Sequence, residues 1–310
     1  MRLSRLLRRS QVAALFVGAL LAQDKTDSSP HTVQFVSVDK TVDKDVKLEV
    51  LDWGGAGRPL IFLAGMGGTA HVFDNFAPKF AQKYHVYAIT RRGFGASSKP
   101  APTIANYSAS RLGDDVLAVT DALKLNRPVL AGHSIAGEEL SSAGSRHPEK
   151  VAGLIYLDAG YAYAYYNRAH GDLWLDLIDM RKRIDELQSG TAPDRKKLWQ
   201  DMLTDVTHLE RPLQQLTKDL ASMPNLPPPP QIVRAIQFGW EKYTEIRVPI
   251  LAIFAIHQAD DPQTVEQANA FEAGLPSAHV VRLQNADHFV FNSNESEVVR
   301  EMNAFLAKLP

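Results

Sequence analysis

Two side chains stand out for what they could do together: Ser134, in Gly132-His133-Ser134-Ile135-Ala136-Gly137, and His288, in Asn285-Ala286-Asp287-His288-Phe289. A serine hydroxyl is a weak nucleophile until a base takes its proton, and a neutral imidazole is suited to that task near neutral pH. The serine run has a shape that favours attack. It follows the apolar residues 129–131 and opens a helical stretch, so Ser134 falls on a sharp strand-to-helix turn. Such a turn pushes the hydroxyl outward, beside a helix N-terminus that favours negative charge. Strand and helix can approach only if the residues two before and two after the serine are small, and Gly132 and Ala136 meet that need.

Acyl chemistry needs one more device, a pair of N–H groups for the negative charge that develops on a carbonyl oxygen. The run Leu63-Ala64-Gly65-Met66-Gly67-Gly68 follows the apolar residues 60–63. Its Met66 N–H, with the N–H of Ile135, is the expected oxyanion hole. Strand and helix patterns alternate around these segments. Residues 33–38, 47–53, 60–63, 85–89, 129–131, 151–157, 248–255 and 279–283 read as strands. Helical spacing covers 71–83, 108–125, 136–145, 262–273 and 295–309. The alternation predicts an α/β fold, with a mainly parallel central sheet and helices on both faces. Residues 160–246 break the rhythm. They are helical and aromatic, with an extended run at Pro227–Pro230, and are expected to be an inserted helical cap on a core of residues 33–159 plus 247–310.

The segment Thr90-Arg91-Arg92-Gly93-Phe94-Gly95-Ala96-Ser97 lies between the glycine loop and the serine turn. Glycine loop, Arg-Gly-x-Gly-x-Ser run, Gly-x-Ser-x-small turn and a late histidine, in that order, resemble the α/β-hydrolase superfamily, in its capped, serine-nucleophile form. The resemblance covers about residues 33–309. It implies His288 as the base, on the loop after the last strand, and a triad carboxylate after a late strand. Asp260 and Asp261 stand at the family's usual place, after the 248–255 strand, and Asp260 is taken first. Asp158 stands at the place used by some members, certain haloalkane dehalogenases among them. Two residues depart from the family pattern: Ala64 replaces the histidine that usually precedes the loop glycine, and Ala136 replaces a glycine. Epoxide hydrolases and haloalkane dehalogenases need a carboxylate nucleophile for an alkyl-ester intermediate. Ser134 at that position points to acyl transfer instead.

The expected activity is therefore hydrolysis of a carboxylic ester with a small or medium acyl group, apolar or aromatic ones included. Amide, lactone or carbon–carbon hydrolysis and cofactor-free perhydrolysis would use the same residues. From another class, a non-catalytic ligand-binding protein on this fold is the alternative. No cofactor or metal is expected, since no His-Glu-x-x-His spacing occurs. A net charge of -1, with no basic stripe beyond the N-terminus, gives no case for nucleic acid. The absence of cysteine removes disulfides and thiolate chemistry. Arg2, Arg5, Arg8 and Arg9 precede an apolar run over residues 12–22, which reads as an export signal over 1–22, followed by a linker over 23–32. The run is too short to span a bilayer, so no stable span is expected once it is removed.

Overall fold

Uninterrupted apolar strands must be covered on both faces, and successive side chains along each strand must feed two different cores. The structure, a computed structural model, describes residues 29–38, 46–220, 227–256 and 262–310. The expected signal over residues 1–22, together with Asp260 and Asp261, lies outside them. Strands β1 (Thr32–Ser37), β2 (Lys47–Gly54), β3 (Pro59–Leu63), β4 (His85–Ile89), β5 (Val129–His133), β6 (Gly153–Leu157), β7 (Ile250–Ile256) and β8 (Ala278–Gln284) form one sheet. Its order is β1-β2-β4-β3-β5-β6-β7-β8. The β1–β2 and β2–β4 pairs are antiparallel and the others are parallel.

The helices are α1 (Ile104–Tyr107), α2 (Ala109–Ala122), α3 (Gly137–Arg146), α4 (Leu173–Ser189), α5 (Arg195–Asp219), α6 (Gln231–Gln237), α7 (Pro262–Gly274), α8 (Val290–Ser293) and α9 (Glu295–Leu306). Along β3, Ile61 and Leu63 join one core with Leu112 and Val116 of α2, Leu140 of α3 and Phe271 of α7. Leu60 and Phe62 join the other, with Phe73, Phe76, Phe80 and Phe291 and with Val298 and Met302 of α9. Helices thus cover both faces, as expected. One expectation changes. Residues 71–83 form two short 3-10 turns, Ala70–Phe73 and Ala77–Phe80, rather than one helix. Pro78 lacks the N–H that an α-helix would need there, and its ring would meet the carbonyl of Asp74.

The sheet order sets the site. From β3 the chain steps to β4 on one side and then crosses to β5 on the other. In an open α/β sheet, the crevice at the C-terminal strand ends where the order reverses is where ligands bind. The loop after β3 and the turn after β5 meet there.

Between β6 and β7 the described residues of 160–246 hold α4, α5 and α6 and no strand. The Asp172 side chain caps α4 by accepting from Trp174 N and Leu175 N, both at 3.1 Å. A buried polar knot ties the insertion together. Lys242 Nζ lies 2.7 Å from Asp176, 3.0 Å from Asp179 and 3.4 Å from Asp205. Asp176 also accepts from Tyr166 Oη at 2.6 Å. Asp176 is fully buried, so removing its cation strands a charge away from water. Lys242→Met is expected to cost about 3–5 kcal/mol. The check is a urea midpoint that falls with an unchanged slope; a midpoint within error of the parent would show that the knot carries no net stability. Among the described residues no helix is long and apolar enough to cross a membrane.

Candidate active site

Ser134 sits at the end of β5 with φ +54°, in the left-handed region that side chains with a Cβ avoid at a cost of about 1–2 kcal/mol. A 3-10 turn, Ser134–Ala136, leads from it into α3. The small neighbours are required by contact. A Cβ on Gly132 would meet Ala136 Cβ and Leu140 Cγ at 3.0 Å, and one on Gly137 would lie 2.0 Å from the Ala159 carbonyl oxygen. A Cβ is excluded at 137, whereas one at 132 would require Ala136 and Leu140 to give way by a few tenths of an ångström.

The loop after β3 packs directly on this turn. A Cβ on Gly65 would lie 2.9 Å from His133 Nδ1 and 3.2 Å from Ser134 Cβ. Met66 is the next residue of this loop. What braces this loop, given alanine at 64, is Arg91. Its Nη2 donates to Ala64 O at 3.0 Å and its Nη1 to Gly65 O at 3.3 Å. The same guanidinium grips Glu139 of α3 through Nε at 2.6 Å and Nη2 at 3.0 Å. Both partners are buried. One side chain from the loop after β4 thus links the glycine loop to the helix behind the serine. The adjacent Arg92 makes a second buried fork, to Asp115 of α2, at 2.6 Å through both nitrogens.

His288 lies on the loop after β8. Its Nδ1 is 2.7 Å from Asp158 Oδ2. Asp158 follows β6, is fully buried, and has φ +47°. Its other oxygen accepts from Ala255 N at 2.9 Å, and its own N–H donates to Ile253 O at 2.8 Å. Both carboxylate oxygens are thus placed by β7 and by the histidine. With Nδ1–H given to Asp158, His288 keeps the lone pair on Nε2 free. Of the three candidate carboxylates, Asp158 is the one brought to His288 among the described residues; Asp260 and Asp261 fall outside them.

His133 connects the two loops. Its Nε2 donates to the His288 main-chain oxygen at 3.0 Å, and its ring lies 4.6 Å from that of His288. Burial, then the neighbouring His288 ring, holds the His133 imidazole well below the ordinary histidine range. It therefore stays neutral and acts through its one N–H. Ser134 and His288 are in this way set at the same end of the sheet, one residue from a shared contact, although no hydrogen bond joins the hydroxyl to the imidazole in this geometry. The Ser134 and Tyr163 side chains interact, although Tyr163 Oη makes no hydrogen bond in this geometry. Sequence reasoning missed Arg91 with Glu139, and Tyr163, because nothing in their spacing ties them to the serine. His31, His71 and Asp74 bring ligand atoms within 4.8 Å of one another, a group that shares no residue with this site.

The arrangement offers a strained serine, an imidazole oriented by a buried carboxylate, and a braced glycine loop, at the reversal point of a mainly parallel sheet. The model of the alpha/beta hydrolase family matches residues 60–301, and the chain belongs to that family. Over 115 residues, 36% of this chain and 38% of the relative, it is 34% identical to a fluoroacetate dehalogenase of a Burkholderia species. Over 136 residues, 42% of this chain and 50% of the relative, it is 31% identical to 3-oxoadipate enol-lactonase 2 of Acinetobacter baylyi. The chain thus spans half or less of the length of these curated relatives. Among solved structures it is similar to an N-acyl homoserine lactone degrading enzyme, with TM-score 0.58 and 25% identity over 89% of this chain and all of that one.

Proposed function

We propose that the protein is a serine hydrolase that cleaves a carboxylic ester through an acyl-enzyme, with Ser134 as nucleophile, His288 as base and Asp158 as the orienting carboxylate. The observation that carries this reading is the 2.7 Å contact between Asp158 and His288 Nδ1, which leaves Nε2 as the basic atom. His288 takes the Ser134 proton as Oγ bonds to the substrate carbonyl carbon. The carbonyl oxygen becomes an oxyanion facing the Met66 and Ile135 N–H groups. The C–O bond to the alcohol then breaks, and the alcohol leaves with the proton from His288. Water, deprotonated by the same imidazole, attacks the acyl carbon, and the acid departs as the proton returns to Ser134.

A serine at the turn forms an acyl ester, whereas displacing halide or opening an epoxide through an alkyl ester needs a carboxylate there. This separates the proposed chemistry from that named for the dehalogenase relative. Lactone hydrolysis is the second reading. It needs the same steps, and two of the similar proteins are named for lactones. Residues 160–246 are proposed as a cap over the site, on the grounds that their helices interrupt the sheet directly after Asp158. Export is proposed from the arginines and apolar run of residues 1–22.

A fluorophosphonate probe tests the core of the proposal, since it labels only an activated serine. The folded protein is expected to take up one label and Ser134→Ala none. Absence of label on the parent, or label retained in Ser134→Ala, rules the assignment out.

A further inference from the structure

Buried polar atoms almost always have partners, and an orphan calls for a reason. Tyr163 Oη, Trp240 Nε1 and both carboxyl oxygens of Glu138 are without one here, and the Tyr163 side chain interacts with Ser134 and with Glu138. The orphaned groups arrive from three elements. Tyr163 is on the segment after β6, Trp240 follows α6, and Glu138 lies in the first turn of α3, four residues past the serine. The Tyr163 and Trp240 rings lie 5.2 Å apart, and Tyr161 lies 6.0 Å beyond Tyr163. Burial, then the Asp158 and Glu138 carboxyls, pushes the Tyr163 phenol well above its ordinary value, so it keeps its proton. Burial, then the adjacent Glu139, likewise pushes the Glu138 carboxyl well up and keeps it neutral. The nearest guanidinium, Arg91, is committed to Glu139, Ala64 and Gly65.

The set is thus flat, aromatic and uncharged. It holds three hydrogen-bond donors, the Tyr163 and Glu138 O–H groups and the Trp240 N–H, and has no cation free for a carboxylate. We propose that Tyr163 and Trp240, with Glu138 behind them, form a polar acyl subsite that selects esters or lactones bearing a neutral hydrogen-bond acceptor, such as an ether, keto or amide oxygen, close to the scissile carbonyl. An acyl group on Ser134 Oγ would be carried next to Tyr163, whose side chain interacts with the serine. A site built to hydrogen-bond a substrate atom rejects the analogue that lacks it, because its own buried polar groups are then left unpaired. This inference rests on the hydrolase reading and narrows its substrate.

The test compares p-nitrophenyl methoxyacetate with its near-isostere p-nitrophenyl butanoate, on the parent, Tyr163→Phe and Trp240→Phe. The methoxy group activates its ester in every variant alike, so that effect cancels in the ratio of the two kcat/KM values. Tyr163→Phe is expected to lower the methoxyacetate-to-butanoate ratio at least about tenfold, and Trp240→Phe to lower it in the same direction. The anionic p-nitrophenyl hemisuccinate is expected to be a poorer substrate than methoxyacetate for the parent. A ratio unchanged in both variants, or a hemisuccinate preferred over methoxyacetate, overturns the subsite. Fluorophosphonate labelling of the same samples keeps the two readings apart. Label on the parent with an unchanged ratio removes the subsite and leaves the hydrolase, whereas no label on the parent removes both. Should Tyr163→Phe not fold, Trp240→Phe decides alone.

Discussion

Asp158→Asn is expected to lower kcat for ester hydrolysis by about 10⁴-fold while leaving the fold intact. The asparagine oxygen can still accept from Ala255 N, which holds Asp158 Oδ1 at 2.9 Å. The left-handed backbone at 158, with φ +47°, is tolerated by asparagine better than by most residues. What is lost is the acceptor for His288 Nδ1–H. An amide N–H₂ at that place favours the other imidazole tautomer, with the proton on Nε2, and such a ring cannot take the proton of Ser134. The measurement is kcat on p-nitrophenyl esters of rising chain length, beside a thermal melt. Asp260→Asn and Asp261→Asn serve as comparators and are expected to change kcat by no more than about threefold, since His288 keeps its Asp158 partner in both. A larger loss in either comparator than in Asp158→Asn would move the acid to that residue.

Arg91→Met is expected to have two separable effects. The first is on stability. Glu139 is buried and loses its bidentate partner, and an uncompensated buried carboxylate costs about 3–5 kcal/mol. The second is on rate. The Ala64 and Gly65 carbonyls lose the donors that hold them at 3.0 and 3.3 Å, so the Met66 N–H is no longer aimed. Loss of one oxyanion donor typically costs 10²–10³-fold in kcat, and a misplaced one should cost part of that, about 10–100-fold. The double variant Arg91→Met/Glu139→Leu tells the two apart. Removing both charges should recover much of the stability, since buried pairs can be replaced by apolar side chains at little cost. It should not recover kcat, because neither new side chain can hold the loop. Recovery of both together would mean that Arg91 only keeps the protein folded.

The Arg91 brace also answers what alanine at 64 left open. The usual histidine is local to the loop. Its substitute comes from the next strand's end and uses a helix residue as counter-charge. Two buried ion pairs, Arg91–Glu139 and Arg92–Asp115, sit side by side in a region otherwise filled by apolar side chains. Their forked geometry fixes how two loops and two helices meet at the reversal point of the sheet.

Much of this molecule was legible in its sequence because the relevant forces act over a few residues. The apolar runs at 60–63, 129–131 and 250–255 specify strands buried on both faces, whatever lies around them. Gly132, Ala136 and Gly137 specify a tight turn, since a Cβ at 132 would press on the turn's own helix and one at 137 would collide with the next loop. The proline at 78 had enough local information to break a helix, although apolar spacing alone suggested one. The contacts that complete the site are of another kind. Asp158 meets His288 across 130 residues of chain, and Arg91 meets Glu139 across 48. Tyr163 comes to Ser134 only because β5 and β6 are neighbours in the sheet. Which carboxylate faces the imidazole, what holds the glycine loop, and which donors stand beside the serine depend on strand order and side-chain packing. Residue spacing carries no record of either, so only the folded chain could decide them.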